Sequence, residues 1–367
     1  MSPHNKRALL VMAGGKGTRL WPESTSKTPK QYLKLIDDKS LLTQTLERFD
    51  NLVSRDSRFV ITTKDQKGQA SLHSKDLISQ KEDQHGLIFE PQGRNTAPCI
   101  LLGLSYLSAK GFSDDTVVSI VPSDHVILNT KAYVETMEKA FKYADQTQSI
   151  ITLGIHPHYP HTGYGYIEKK DQLDDDFYRV SAFKEKPDLE TAKKYLQSGH
   201  YFWNAGMFVA SIKVLVEEMK KHCPELAKNF EKFKKLYQEG ASEEDISKVY
   251  QQLEKISIDY AVMENSQNIK VLGARFDWND LGSWDAMESV LKGDHKNTVI
   301  AAKGQQLIDS QGNIIYAPSK DVAIRGINDM VIVCNDDVLM LIPKKDSQKV
   351  ADFVSEIKKK NPDSPLI

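Results

Sequence analysis

The chain has 367 residues, 40% of them hydrophobic, a length that favours about two domains because single cores seldom grow past roughly 250 to 300 residues. Lysine plus arginine (49) almost cancels aspartate plus glutamate (50), so the net charge of −1 supplies no global field for nucleic acid or an anionic membrane, and an anionic ligand must be held by local cations. Cys99, Cys223 and Cys334 lack C-x-x-C spacing, and no apolar stretch approaches the roughly 20 residues that span a bilayer; together these predict free thiols in a soluble, cytoplasmic protein.

The first predicted element is a buried strand, Ala8 to Met12, which breaks into Ala13-Gly14-Gly15-Lys16-Gly17-Thr18-Arg19, then Trp21-Pro22 and cations at Lys27 and Lys30. Three glycines within four positions let the backbone approach a ligand, and successive N–H groups can form an anion-binding nest. Arg19 can fork onto terminal phosphates, and Lys30 can place a point charge on another. Two familiar phosphate loops are excluded. Counting a Walker loop from Gly14 puts Arg19 where its second glycine belongs, and a dinucleotide fingerprint from Gly15 meets Leu20 at its third small position.

Further strands are predicted at Phe59–Thr62, Leu87–Glu90, Val117–Pro122, Ile150–Gly154 and Phe208–Ala210, with helices after Ser40 and over Ala132–Ala144. The alternation predicts an α/β fold with a mixed, mostly parallel sheet flanked by helices. Ligands of such sheets bind beyond the carboxyl ends of the strands, where the loop after Met12, Glu90 to Thr96, and Pro122-Ser123-Asp124-His125 all lie. From Lys213 to about Glu264 the chain turns charged and helical, a cover for the sheet. From Asn297 to Pro343, short β-branched runs (Val299–Ala301, Leu307–Ile308, Ile314–Tyr316, Val322–Ile324, Met330–Val333, Val338–Ile342) suggest a small β appendage, and Ser347–Lys358 a closing helix. The expected division is residues 1–290 and 291–367.

Asp124 follows a strand and Asp280 sits in Trp278-Asn279-Asp280-Leu281-Gly282-Ser283-Trp284. Two carboxylates from distant segments suit magnesium, which keeps several waters and substrate phosphates; read singly, each aspartate is an ordinary turn former. His125 reads as a hydrogen-bonding partner of a neighbouring loop. Glu185 and Asn204 offer forked acceptors and donors for sugar hydroxyls, Lys186 a charge for a phosphate, and Gly165, in Gly163-Tyr164-Gly165-Tyr166, a backbone surface for a flat ligand.

Leu9 to Lys30, with Lys-Thr-Pro-Lys-Gln-Tyr, is similar to the signature of nucleotide-sugar pyrophosphorylases. With Glu90-Pro91-Gln92-Gly93-Arg94-Asn95-Thr96-Ala97-Pro98, Pro-Ser-Asp-His, Ser257 to Glu264 and Trp278 to Trp284, the chain resembles the mannose-1-phosphate guanylyltransferase family over roughly residues 7 to 290. The resemblance implies a Rossmann-like, glycosyltransferase-A-type nucleotidyltransferase domain, then a small left-handed β-helix-like domain. It implies GTP and mannose 1-phosphate as substrates, GDP-mannose and pyrophosphate as products, and Mg2+ as cofactor. Carried over by position, Ala13, Gly14, Gly15, Lys16, Gly17, Thr18 and Arg19 wrap the triphosphate, and Lys30 neutralises charge at the α-phosphate. Arg94, Asn95 and Thr96 lie near the guanine or ribose, and Asp124 and Asp280 hold the metal. Glu185 and Asn204 meet mannose, Lys186 meets its phosphate, and Gly165 stays a substrate-side residue on the backbone reading above. The isomerase domain of long bacterial members is expected to be absent. The β appendage could serve in dimer contacts, which leaves a homodimer open. A transferase for another nucleotide and sugar phosphate, and a non-catalytic nucleotide-sugar sensor, are the competing readings; intact Arg19, Lys30, Asp124 and Asp280 speak against the sensor.

Overall fold

The structure, a computed structural model, describes residues 6–15, 17–82, 84–291, 296–362, 364, 366 and 367. In chain order the strands are β1 (Arg7–Met12), β2 (Arg58–Thr63), β3 (Gln80–Lys81), β4 (Gln84–His85), β5 (Leu87–Glu90), β6 (Val117–Pro122), β7 (Ile150–Ile155) and β8 (Tyr166–Asp174). They continue as β9 (Phe177–Lys184), β10 (Tyr201–Ser211), β11 (Ile269–Gly273), β12 (Thr298–Ile308), β13 (Ile314–Arg325), β14 (Met330–Cys334) and β15 (Leu339–Pro343). The α-helices are α1 (Leu41–Glu47), α2 (Lys67–Ser74), α3 (Thr96–Ala109), α4 (Thr130–Thr147), α5 (Leu189–Ser198) and α6 (Ile212–His222). The remainder are α7 (Pro224–Ala227), α8 (Phe230–Gln238), α9 (Glu243–Tyr250), α10 (Met287–Val290) and α11 (Val350–Lys360). The chain divides into two compact units, Met1–Gly14 with Leu46–Ser123 and Leu128–Asp277, and Gly15–Thr45 with Asp124–Ile127 and Trp278–Ile367.

The first unit is built on a sheet of order β5-β2-β1-β6-β10-β7-β11-β9-β8. Strands β5, β2, β1 and β6 are parallel, as are β7 and β11. Strand β10 runs antiparallel to β6, β7 and β8. Continuous apolar runs such as Ala8 to Val11 are wholly buried, as strands covered on both faces require. Helix α3 is apolar around most of its circumference and buries Ala97 through Ser108, so it forms the centre of the core rather than an amphipathic surface layer. Arg58 is buried yet satisfied: it donates to the carbonyls of Leu46, Phe49 and Val53 and reaches Asp50 at 2.7 Å, closing the carboxyl end of α1.

The second unit carries a sheet of order β12-β13-β14-β15, parallel except for the last pair. Six short runs predicted from sequence merge here into four strands. Register shifts between Val299 and Ala301, and between Ala302 and Gly304, let β12 stay paired across breaks in its apolar pattern. A 3-10 turn, Lys344–Lys349, precedes α11, so the last helix starts at Val350 and not at Ser347. The core of this unit joins residues from all three of its segments: Leu20, Trp21 and Leu33; Val126; and Trp284, Tyr316 and Val333.

Candidate active site

Strands β1 and β6 lie side by side and end together, with Met12 opposite Pro122. The sheet order reverses direction between them, the position where open α/β sheets leave a crevice at their carboxyl ends. Ala13 and Gly14 still belong to the first unit; Ala13 donates to Ile61 at 2.8 Å, and the Gly14 carbonyl accepts from Gln66 at 3.4 Å. Lys16 lies outside the described residues.

Within the second unit, Gly17 adopts φ 60°, and a Cβ there would overlap that of Lys30, so this position requires glycine on both conformational and packing grounds. A short 3-10 turn, Thr18–Leu20, follows and leaves Arg19 exposed. Lys30 comes from a second 3-10 turn and is only 6% exposed. Its ammonium lies 2.9 Å from the Asp124 carboxylate and also donates to the backbone carbonyl of Asp280.

The two aspartate segments are fastened together by backbone: Val126 donates to Asn279 at 2.9 Å, and Asn279 donates back at 3.1 Å. Leu281 is wholly buried at φ 43°, a strained conformation that turns the chain directly after Asp280. The result is a cavity of about 330 Å³ lined by Gly17, Thr18, Arg19, Lys30, Asp124, His125 and the Asp280-Leu281-Gly282 turn. Burial alone would raise the Asp124 carboxyl, but the Lys30 ammonium, then His125, outweigh it and hold that group below its ordinary value. Asp124 is therefore ionised at neutral pH. His125 accepts a hydrogen bond from the Trp278 indole at 3.1 Å, the role expected of it.

A second cluster lies in the first unit. Asn204 sits on β10, and its backbone N–H donates to the Gly165 carbonyl at 2.8 Å. A Cβ at Gly165 would strike the Glu185 carboxylate, so glycine permits that approach. Lys186 follows at φ 46°, with its ammonium 2.6 Å from Glu185. The Asn204 amide is fixed at both ends, donating to Asp259 at 2.9 Å and accepting from the Gly206 N–H at 2.9 Å. Asp259 is pushed up to about 6, first by burial and then by the charge of Glu185. Carboxylates, an amide and an ammonium in one cluster match the donor and acceptor pattern of a sugar phosphate.

The loop before α3 is occupied in holding structure. Arg94 donates to the carbonyls of Leu253 and Gln251, Asn95 caps α3 by accepting from the Thr96 N–H, and the Thr96 hydroxyl accepts from Ile258 at 2.8 Å.

Residues 8–297 match the family model described as nucleotidyl transferase, and residues 305–357 that of the MannoseP isomerase/GMP-like beta-helix domain. An Escherichia coli mannose-1-phosphate guanylyltransferase is 33% identical over 95% of this chain and 75% of its own length. A Klebsiella pneumoniae protein of the same name is 34% identical over 95% of this chain and 73% of its own. A Thermus thermophilus crystal structure, described as a mannose-1-phosphate geranyltransferase, is 33% identical and superposes with a TM-score of 0.86, covering 96% of this chain and 99% of that one. The chain belongs to the nucleotidyl transferase family and, within it, to the mannose-1-phosphate guanylyltransferases.

Two residues of this guanylyltransferase-family chain escaped the sequence reading of the sites. Asp259 lies in the Ser257 to Glu264 block, but nothing in the sequence tied it to Asn204, 55 positions away. Glu90 was placed at the head of the Glu90 to Thr96 loop but given no role of its own. It is 3% exposed, accepts from the Tyr250 hydroxyl at 2.5 Å, and stands where a Cβ on Gly14 would meet it at 2.9 Å. Burial raises its carboxyl. A glutamate immediately before proline at a strand end was the available signal, and it is a weak one. Among the described residues no helix is long and apolar enough to cross a membrane.

Proposed function

We propose that this chain transfers GMP from GTP to mannose 1-phosphate, giving GDP-mannose and pyrophosphate, with the residues above in the following roles. A phosphate oxygen of the sugar phosphate attacks the α-phosphorus in line. That new P–O bond forms as the bond from the α-phosphorus to the bridging oxygen breaks, and the electron pair leaves with pyrophosphate. No protein nucleophile is needed, so the protein's work is positioning and charge neutralisation. Gly14, Gly15, Lys16, Gly17 and Thr18 take the triphosphate, and exposed Arg19 forks onto its terminal oxygens. Buried Lys30 carries a fixed charge to the reacting centre, where exclusion of water strengthens it.

Asp124 and Asp280 fit a divalent ion: an ionised carboxylate and a second aspartate line one cavity roomy enough for phosphate oxygens and water, the ligand set magnesium prefers. Mg2+ held there would offset the negative charge that builds on the phosphates. Lys30, already paired with Asp124, would stay beside that centre as the substrates enter. Glu185, Asn204 and Gly165 take the mannose ring, Lys186 takes its phosphate, and Arg94, Asn95 and Thr96 shape the nucleoside side. A cytoplasmic location and a division near residue 290 remain part of this reading, and a homodimer stays open.

The observation that carries the proposal is the convergence of Lys30, Asp124 and Asp280, from three separate segments, on one cavity beside the Gly17 turn. A panel of nucleoside triphosphates crossed with mannose, glucose and fucose 1-phosphates, scored by pyrophosphate release, tests it. GTP with mannose 1-phosphate is expected to be the best pair. A clear preference for another pair, or binding of GDP-mannose without turnover of any pair, would overturn the assignment.

A further inference from the structure

We propose that the C-terminal β module is a strut that sets the shape of the phosphate turn, with Glu23, Tyr316 and Asn335 as its positioning residues. The proposal rests on the triphosphate reading of that turn. Glu23 and Ser24 donate their backbone N–H groups to the Leu20 carbonyl, each at 3.1 Å, and the Ser24 hydroxyl donates to the carbonyl of Gly17. The segment just after Arg19 is thereby folded back onto Gly17, two residues before it. What fixes Glu23 consequently fixes the turn.

Glu23 is gripped from two elements of the module. Its carboxylate accepts from the Tyr316 hydroxyl of β13 at 3.1 Å and from the Asn335 amide, in the turn between β14 and β15, at 3.0 Å. Asn335 is itself immobilised, because its side-chain oxygen accepts from the N–H groups of Asp337 and Val338 at 3.0 and 2.8 Å. Tyr316 is 8% exposed and packs its ring 5.4 Å from that of Trp284, whose indole N–H donates to the Trp21 carbonyl at 3.0 Å. Burial, then the charge of Glu23, raises the Tyr316 phenol, which therefore remains a donor at every working pH.

The module holds the other wall of the cavity as well. Gln348 donates to the Ser283 hydroxyl at 2.7 Å, and Ser347 donates to Asp285 at 2.5 Å. These contacts fall directly after the Asp280-Leu281-Gly282 turn. Both the cation-bearing and the carboxylate-bearing wall are thus tied to one small β module. A glycine-rich turn free to sample many conformations would have to be ordered by GTP at each binding event. A turn ordered in advance avoids that entropy cost.

The test uses the full chain and separates positioning from gluing. Tyr316→Phe removes the hydroxyl and keeps the ring on Trp284; Glu23→Ala removes the acceptor, and Glu23→Gln retains one. For Tyr316→Phe and Glu23→Ala, KM for GTP should rise and kcat fall, a combined loss of about tenfold or more in kcat/KM for GTP. KM for mannose 1-phosphate should stay at the wild-type value, and Tm within about 3 °C. Glu23→Gln should restore most of the loss. Lowered Tm with unchanged GTP kinetics would reduce the network to simple adhesion and overturn the strut, as would equal loss of both substrates. Wild-type turnover is read first: no GDP-mannose from the wild type would overturn the guanylyl-transfer reading, whereas normal wild-type turnover with unaffected variants overturns the strut alone.

Discussion

The two units solve different physical problems. The first is organised by burial: parallel strands with continuous apolar runs, a central helix hidden along most of its length, and a sheet whose register fixes where its loops emerge. The second is assembled from three stretches of chain, the shortest being Asp124–Ile127; an apolar core joins those stretches, while the side chains that line its cavity are aimed by hydrogen bonds and turns. Precise placement of Lys30, Asp124 and Asp280 therefore depends on polar contacts, each worth only about 0.5–1.5 kcal/mol net, and on two left-handed backbone positions, Gly17 and Leu281. Substitutions in the second unit should disturb chemistry before stability, and those in the core of the first should do the reverse.

The largest effect is expected from Asp124→Ala, which removes a proposed metal ligand and the partner of a buried ammonium. Turnover should fall on the order of 10³-fold while circular dichroism still reports a folded protein. Near-normal GDP-mannose synthesis would remove Asp124 from the metal site. Next comes Gly17→Ala, where the added methyl must displace Lys30. A rise in KM for GTP and a fall in kcat, together roughly 10- to 100-fold in kcat/KM, is expected, and unchanged GTP kinetics would show that the turn tolerates a side chain.

Asp259→Asn probes the first unit through pH. The folded protein keeps the Asp259 proton up to about pH 6, whereas the unfolded chain releases it at its ordinary value of 3.8. Stability from this group is therefore present at low pH and lost as pH rises from about 4 to 6. Comparing melting temperatures at pH 4.5 and 7, the variant should gain on the wild type at the higher pH; parallel melting curves would contradict the raised carboxyl. Activity should change least with Leu104→Ala, in the buried face of α3. Denaturant titration should show a loss of about 2–5 kcal/mol, while kcat for the folded fraction remains at the wild-type value. A selective loss of turnover there would blur the contrast between the units.

Much of the parallel sheet was legible because each of its strands is a short apolar run bounded by turn residues. Leu87–Glu90 and Val117–Pro122 are strands over the range expected. Strands β8 and β9 were invisible for the opposite reason. Residues such as Glu168, Lys169, Lys170 and Asp171 give β8 a polar, partly exposed pattern, and its pairing with β9 is long-range information. In the second unit the β runs were legible, but their fusion into four strands depends on bulges that apolar patterning does not encode.

Of the residues singled out in the sequence, Lys30, Asp124 and Asp280 come together on one cavity, because each stands in a turn next to a glycine or a strand end. The hold of the Arg94 guanidinium on Leu253 and Gln251, and the pairing of Asp259 with Asn204, are long-range contacts brought about by folding and left no mark in the sequence. The β appendage offered no signal at all for Glu23, because a glutamate after Trp-Pro reads as a surface residue until Tyr316 and Asn335 are placed on it.

The claim on which the rest depends is that the cavity of the second unit neutralises charge during guanylyl transfer, with Lys30 at the reacting centre. Single-turnover formation of GDP-mannose by Lys30→Met, mixed with saturating GTP and mannose 1-phosphate, measures that step without product release. A fall on the order of 10³-fold, with GTP binding by calorimetry kept within about tenfold, is the predicted result. A single-turnover rate close to that of the wild type would contradict it.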